Sequence, residues 1–324
     1  MYYFNKEQLK NHQFLPYIIM TIPMVIGGTT WPLGKWLVSS YYGTTIPQLI
    51  IVLARYIVAL PILFLILYIK EGSIHFQFMV AHKKYLSILG ILIVTIYQIG
   101  YMFGETYTTG TEASLLIATV PIAVFIISTV FVGYKITPKH LLGLIIGFLG
   151  VFLVITFETP SSVTASNPNL GNSLIIMAVI AFAIYTVVLK HFMNSFESSE
   201  SKPSSLAILT WLSTFGILFI IPLAFVISPN YLSIQSFIEI PPRIWFGIFY
   251  LGILPTVFGF MLYIEGIKML DPNRAVIFSN IIPIVGIGLS ALLLGEKIDL
   301  IIHVGALILI FISIYLVNKQ QSLS

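Results

Sequence analysis

Ten runs of mostly apolar residues, each about twenty long, fill this chain of 324 residues. A helix needs about twenty such residues to cross the ~30 Å hydrocarbon core of a bilayer. The runs are Leu15–Val38, Ile46–Ile69, Leu86–Gly104, Thr111–Val132 and Lys139–Phe157, then Asn172–Met193, Ser204–Ser228, Arg243–Ile264, Arg274–Leu294 and Ile298–Val317. Membrane β-strands show ~10-residue alternating patterns, and these runs are twice that length without alternation. The expected fold is an all-α integral membrane bundle of ten transmembrane helices. Charged residues make up only 9% of the chain, against about 25% in soluble domains. So few charges cannot cover a water-facing surface, which excludes soluble globular, disordered and nucleic-acid-binding readings. There are no cysteines, so disulfides, thiolate metal sites and cysteine nucleophiles are excluded.

Loop charges predict an orientation. One side collects Lys6, Lys10, Lys70, Lys83, Lys84, Lys135, Lys139, Lys190, Lys202, Lys268, Arg274 and Lys319, and the other only Arg243 and Lys297. Lys35 and Arg55 fall inside runs. This asymmetry places both termini in the cytoplasm of a multi-pass protein of the cell membrane. The first run follows Lys6 and Lys10 without a small-residue cleavage site, so it reads as a retained helix and not a signal peptide.

The chain also repeats itself. With a shift of 162 positions, Tyr101, Gly104, Ala113, Pro121, Gly133, Lys135 and Gly143 fall on Tyr263, Gly266, Ala275, Pro283, Gly295, Lys297 and Gly305. A weaker match, at another offset, pairs Lys35 with Lys190. Five runs per half is an odd number, so the second repeat is expected upside down relative to the first. Inverted repeats around a midplane site are a recurring design of secondary transporters. The expected divisions are a cytoplasmic segment 1–14, a first five-helix repeat 15–157, an extracytoplasmic linker 158–171, a second repeat 172–317 and a cytoplasmic tail 318–324.

Several motifs resemble the EamA-type transporters of the drug/metabolite transporter superfamily. They are Thr30-Trp31-Pro32-Leu33-Gly34-Lys35, Arg55, and Tyr107-Thr108-Thr109-Gly110-Thr111-Glu112-Ala113-Ser114-Leu115-Leu116 through Pro121. Asp271-Pro272-Asn273-Arg274-Ala275 through Pro283, then Gly295-Glu296-Lys297, continue the likeness in the second half. The first-half turn departs from the usual Gly-Glu by carrying Tyr134. The resemblance implies export or exchange of small metabolites, amino acids among them, through a cavity between the halves, with the fifth and tenth helices peripheral.

Charges at membrane depth are costly and tend to face a cavity or a partner. Arg55 therefore reads as an anchor for a substrate carboxylate, as one side of a gate ion pair, or as an arginine held by carbonyls for packing alone. Lys35 and Lys190 lie near helix ends, where snorkelling accounts for both. Gln98, Tyr101 and Glu105 share one helix face, and Thr256 and Tyr263 share a face of the repeat-related helix. Trp31, Lys35, Arg55, Gln98, Tyr101, Thr119, Tyr263 and Asn280 are the candidate cavity-lining residues. Pro121 and Pro283 read as hinges, because proline frees a carbonyl one turn back. Glu105 and Glu265 are the candidate coupling acids, Glu105 being placed near a solvated rim, whereas Glu112 reads as a helix N-terminal acid. Gly143, Gly147 and Gly150 form a small-residue face suited to packing within the subunit or to a homodimer.

Enzyme signatures are missing: no Walker-type phosphate loop, no zinc-protease helix and no nucleophile elbow. The chain thus reads as a non-enzyme without metal or cofactor, with a small-molecule substrate and the lipid bilayer as partners. A membrane enzyme acting on lipid-linked substrates would cluster acids or histidines at one membrane face, and no such cluster is present. A non-transporting sensor or assembly partner would lack a polar cavity. The longest stretches between runs, around 71–85, 158–171 and 229–242, are too short for a soluble domain, and the last two, rich in Ser, Pro and Asn, read as surface loops.

Overall fold

The structure, a computed structural model, describes residues 15–38, 46–133, 137–156, 166–196, 202–270, 272–297 and 299–318. Lys6, Lys10, Tyr134, Lys135, Asp271, Lys319 and most of the expected 158–171 linker lie outside the described residues. Helix is the regular structure throughout, and no strand occurs among the described residues. The first half carries α1 (Leu15–Val38), α2 (Gln48–Glu71), α3 (Phe76–Tyr107), α4 (Gly110–Phe131) and α5 (Pro138–Thr156). The second carries α6 (Pro168–Asn194), α7 (Ser205–Ile227), α8 (Pro242–Met269), α9 (Pro272–Leu294) and α10 (Leu300–Leu316). Among the described residues seven of these, α2 to α4 and α6 to α9, are long and apolar enough to cross a membrane.

One boundary differs from the sequence expectation. The helix expected at Leu86 begins at Phe76, so much of the 71–85 stretch, expected between runs, is helix. Lys83 and Lys84 lowered its hydropathy without breaking the helix, and the backbone kinks at His82. The 229–242 stretch also carries short helical turns, Pro229–Tyr231 and Ile234–Ile238.

Packing follows a pseudo-two-fold. The pair α1·α9 is matched by α6·α4, α3·α6 by α8·α1, and α7·α3 by α2·α8, while α2·α7, α4·α9 and α5·α10 are matched by themselves. Local irregularities repeat as well. A π-helical stretch, Ile91–Ile96, interrupts α3, and another, Gly252–Gly259, interrupts α8 at the equivalent place. The helix α4 breaks at Ala118 and Thr119, and α9 tightens into a 3-10 turn over Val276–Asn280. Pro121 and Pro283 sit just after those breaks, in the first turn of the helix that resumes. There a missing N–H costs little. Gly133 and Gly295 end α4 and α9 in the left-handed conformation, with φ of 78° and 65°, which glycine reaches without a Cβ penalty.

The helices α5 and α10 pack on each other, where Gly147 faces Ser313 and Gly150 faces Ile310 and Ala306. This part of the small-residue face is spent on packing within the chain. Their outer faces expose Leu141, Ile145, Phe148, Ile301, Ile308 and Phe311, the kind of surface that a bilayer covers.

The helices α3 and α7 approach closely at a pair of glycines. A methyl group on Gly90 would collide with the Leu212 carbonyl oxygen and the Gly216 nitrogen, and one on Gly216 with the Gly90 carbonyl oxygen. Gly90→Ala is expected to cost about 1–3 kcal/mol by overpacking, read as a lowered melting temperature of the detergent-purified protein. Gly288→Ala, where nothing lies within 4 Å, is expected to leave it unchanged or raise it.

Candidate functional site

Between the halves lies a cavity of about 70 Å³. Its walls come from α1 (Met24, Thr30, Trp31), α2 (Arg55), α3 (Tyr97, Tyr101), α6 (Phe182), α8 (Pro255, Phe260, Tyr263) and α9 (Ile282). None of its lining residues belongs to α4, α5, α7 or α10. Arg55 is the one charged side chain in the lining. Ligand pockets run to ~300–1,000 Å³, so a metabolite enters only if the walls part.

Arg55 sits on the buried face of α2, at 2% exposure. Its Nε donates to Thr256 Oγ1 at 2.6 Å and its Nη1 to Gln98 Oε1 at 3.2 Å. Gln98 in turn donates to the Tyr56 hydroxyl at 3.4 Å. Thr256 is free to accept because its own proton goes to the Leu251 carbonyl, five residues back, at 2.7 Å. The residue four ahead of that carbonyl is Pro255, which has no N–H to give it, and it lies in a π-helical stretch, a feature frequent at functional sites. No carboxylate lies within ion-pair distance of Arg55 among the described residues.

The two repeat-related tyrosines close the cavity in related ways. Tyr101 donates to the Thr30 carbonyl at 2.5 Å and meets Trp31 edge-on, ring centres 4.9 Å apart. The Tyr263 hydroxyl bonds the Thr186 hydroxyl at 2.6 Å and its ring stacks near Tyr185. Aromatic pairs of this kind add ~0.5–1.5 kcal/mol beyond area burial.

Beyond these rings the lysines correct the snorkelling expectation. Lys35 is buried and its Nζ donates to the Glu105 carbonyl at 2.9 Å, at the C-terminal end of α3. Lys190 reaches the carbonyls of Ile267, Lys268 and Leu270 at the equivalent end of α8. A helix end leaves four carbonyls without intrahelical partners, and in an apolar surrounding an ammonium satisfies them and complements the dipole. The sequence match of Lys35 with Lys190 thus corresponds to a shared job.

Glu105 is also a correction. It is fully buried, not at a solvated rim, and neither carboxylate oxygen has a hydrogen-bond partner among the described residues. Glu265 is half-buried and pairs with Lys268 at 3.6 Å. Glu112 takes the helix-start role expected of it. Thr109 caps its N–H, and its carboxylate accepts from the Thr108 hydroxyl at 2.6 Å. Glu296 holds the same helix start from the other half, accepting from the Gly110 and Thr111 N–H groups at 2.9 and 2.8 Å.

Of the residues expected to line a cavity, Trp31, Arg55, Tyr101 and Tyr263 do so together. Gln98 stands one layer behind, holding Arg55, and Lys35 lies outside the lining. Thr119 bonds its own helix at the Leu116 carbonyl, and Asn280 ends the 3-10 turn of α9; neither lines the cavity. Sequence reasoning missed Tyr97, Phe182 and Phe260. Tyr97 was findable, being one turn from Tyr101 on the same face. Phe182 was not, among 24 phenylalanines.

The two buried acids should respond oppositely to removal. Glu296→Ala strips charge-assisted partners from two N–H groups, at ~1.5–3 kcal/mol for such bonds, and thermal unfolding in detergent should fall accordingly. Glu105→Met removes a buried carboxyl group that lacks a hydrogen-bond partner among the described residues, at the position matched by Ile267, and the same measurement should show a rise.

The comparisons with known proteins agree with this geometry. The model of the EamA-like transporter family matches residues 14–156 and again 169–319. The chain is 27% identical over 318 residues to the uncharacterized transporter YetK of Bacillus subtilis, covering 97% of this chain and 90% of that one. It is 24% identical to the uncharacterized transporter YyaM of the same organism, covering 91% of this chain and 90% of that one. Protein PagO of Salmonella typhimurium is 24% identical, with 87% of each chain covered. A crystal structure 15% identical to the chain superimposes with a TM-score of 0.59 over 91% of this chain and 98% of that one, a likeness of fold. With a family model matched twice and nearly end to end, the chain belongs to the EamA-like transporter family and is a multi-pass membrane protein.

Proposed function

We propose that this protein is a secondary transporter that exports or exchanges small metabolites, amino acids or similar compounds, across the cytoplasmic membrane by alternating access. The observation that carries this reading is the cavity between the halves, lined by the repeat-related Tyr101 and Tyr263 with the buried Arg55. A sensor or assembly partner needs no such cavity, and a lipid-processing enzyme needs a cluster of acids or histidines at one face.

In this reading all ten helices span the membrane. The repeats are inverted, their division follows the 15–157 and 172–317 boundaries, and both termini are cytoplasmic. Substrate binds among Trp31, Arg55, Tyr101 and Tyr263, with Gln98 steadying Arg55. Tyr101, Trp31 and the Lys35 contact form the outer cover. Tyr263, Thr186 and the Lys190 contact form the inner one. Opening one cover breaks a few bonds worth ~1 kcal/mol each, a cost that substrate binding can offset. Pro121 and Pro283 mark where α4 and α9 bend, and Glu105 is the acid best placed to couple the outer cover to a proton.

Two measurements check this. The chain lacks cysteine, so single cysteines at Lys139 and Lys297 can be labelled in intact cells with an impermeant maleimide. Lys297→Cys should label and Lys139→Cys should not; labelling of both or of neither overturns the inverted arrangement. Liposomes holding the protein should take up a labelled amino-acid mixture above empty liposomes, and Tyr101→Ala should abolish the uptake. An imposed pH gradient should drive accumulation if Glu105 couples a proton, and Glu105→Gln should remove that drive.

A further inference from the structure

Arg55 presents a charge that no carboxylate among the described residues balances. Two of its five N–H groups are committed, one to Thr256 and one to Gln98, both neutral acceptors. These fix the plane of the guanidinium and leave three N–H groups without a protein partner among the described residues. Burial of a cation without a counter-charge is expensive, and a buried charge is ordinarily paired. The rest of the lining carries no acid and no lysine, and most of it is aromatic or aliphatic.

From this geometry we infer the substrate class, resting on the transporter reading above: an organic acid with one carboxylate on a compact apolar, preferably aromatic, body. The carboxylate takes the free fork of Arg55, since a planar guanidinium matches a carboxylate with two parallel bonds. The body lies against Trp31, Tyr97, Phe182 and Phe260. Binding neutralises the cavity, so the loaded carrier closes around no net charge. An ammonium group undoes this gain. No carboxylate in the lining meets it, and only ring faces are left to hold it. An amino acid is therefore a weaker ligand than its 2-oxo counterpart, and an amine is weaker still.

Titration calorimetry on the purified full chain in detergent tests this with four probes of one shape: phenylpyruvate, phenylalanine, 3-phenylpropanamide and phenethylamine. Phenylpyruvate should bind most tightly, the neutral amide about tenfold or more weaker, and phenethylamine not at all. Arg55→Gln should lose the preference for acid over amide. Amide or amine binding as well as the acid overturns the inference, as does phenylalanine binding more tightly than phenylpyruvate. If Arg55→Gln fails to fold, the ranking on the unaltered protein still decides. The same four probes with adenosine and glucose, each labelled, are then offered to liposomes. Transport of adenosine, glucose or phenethylamine without phenylpyruvate sinks the substrate class and leaves the transporter standing. Transport of none of them sinks both.

Discussion

A helix end inside an apolar surrounding leaves backbone groups that no water can satisfy, and the organisation of this protein depends on how those ends are met. The C-terminal carbonyls of α3 and α8 receive the ammonium groups of Lys35 and Lys190. The N-terminal N–H groups of α4 receive the carboxylate of Glu296. Each contact joins different helices, and the last joins the two halves. The charged residues that look most out of place in the sequence are thus the ones that complete the backbone, and their placement holds the halves in register around the cavity.

The site grows out of departures from regular helix. The π-helical stretches in α3 and α8 lie at equivalent positions, next to the tyrosines that close the cavity. In α8 Pro255 has no N–H to give the Leu251 carbonyl, which takes the Thr256 hydroxyl proton and leaves that hydroxyl to accept from Arg55. Glu105 shows the opposite economy. It is buried with no hydrogen-bond partner for its carboxylate among the described residues, and a polar group buried so costs folding free energy.

How much of this was legible in the sequence varies with the range of the interaction. The repeat was legible because Tyr101 and Tyr263, Pro121 and Pro283, and Gly133 and Gly295 each do the same local job in both halves. Arg55 stood out because a charge amid apolar neighbours has few explanations. Lys35 and Lys190 were misread as snorkelling, since their partners are carbonyls on helices distant in sequence, and carbonyls carry no sequence signal. Phe182 and Phe260 were lost for a related reason: in so aromatic a chain, whether a ring faces the cavity or a neighbouring helix depends on packing between helices.

The sequence by itself determined the membrane class, the helical build and the repeat, because hydrophobic length, low charge and matched turn residues act locally along the chain. Only the tertiary structure decided that Arg55 faces a cavity without a counter-ion, that Gln98 stands behind it, and that Glu105 is buried at a supposed rim. Those outcomes depend on which helix faces pack together, and a helix that is apolar on nearly every side carries no amphipathic stripe from which its facing could be read.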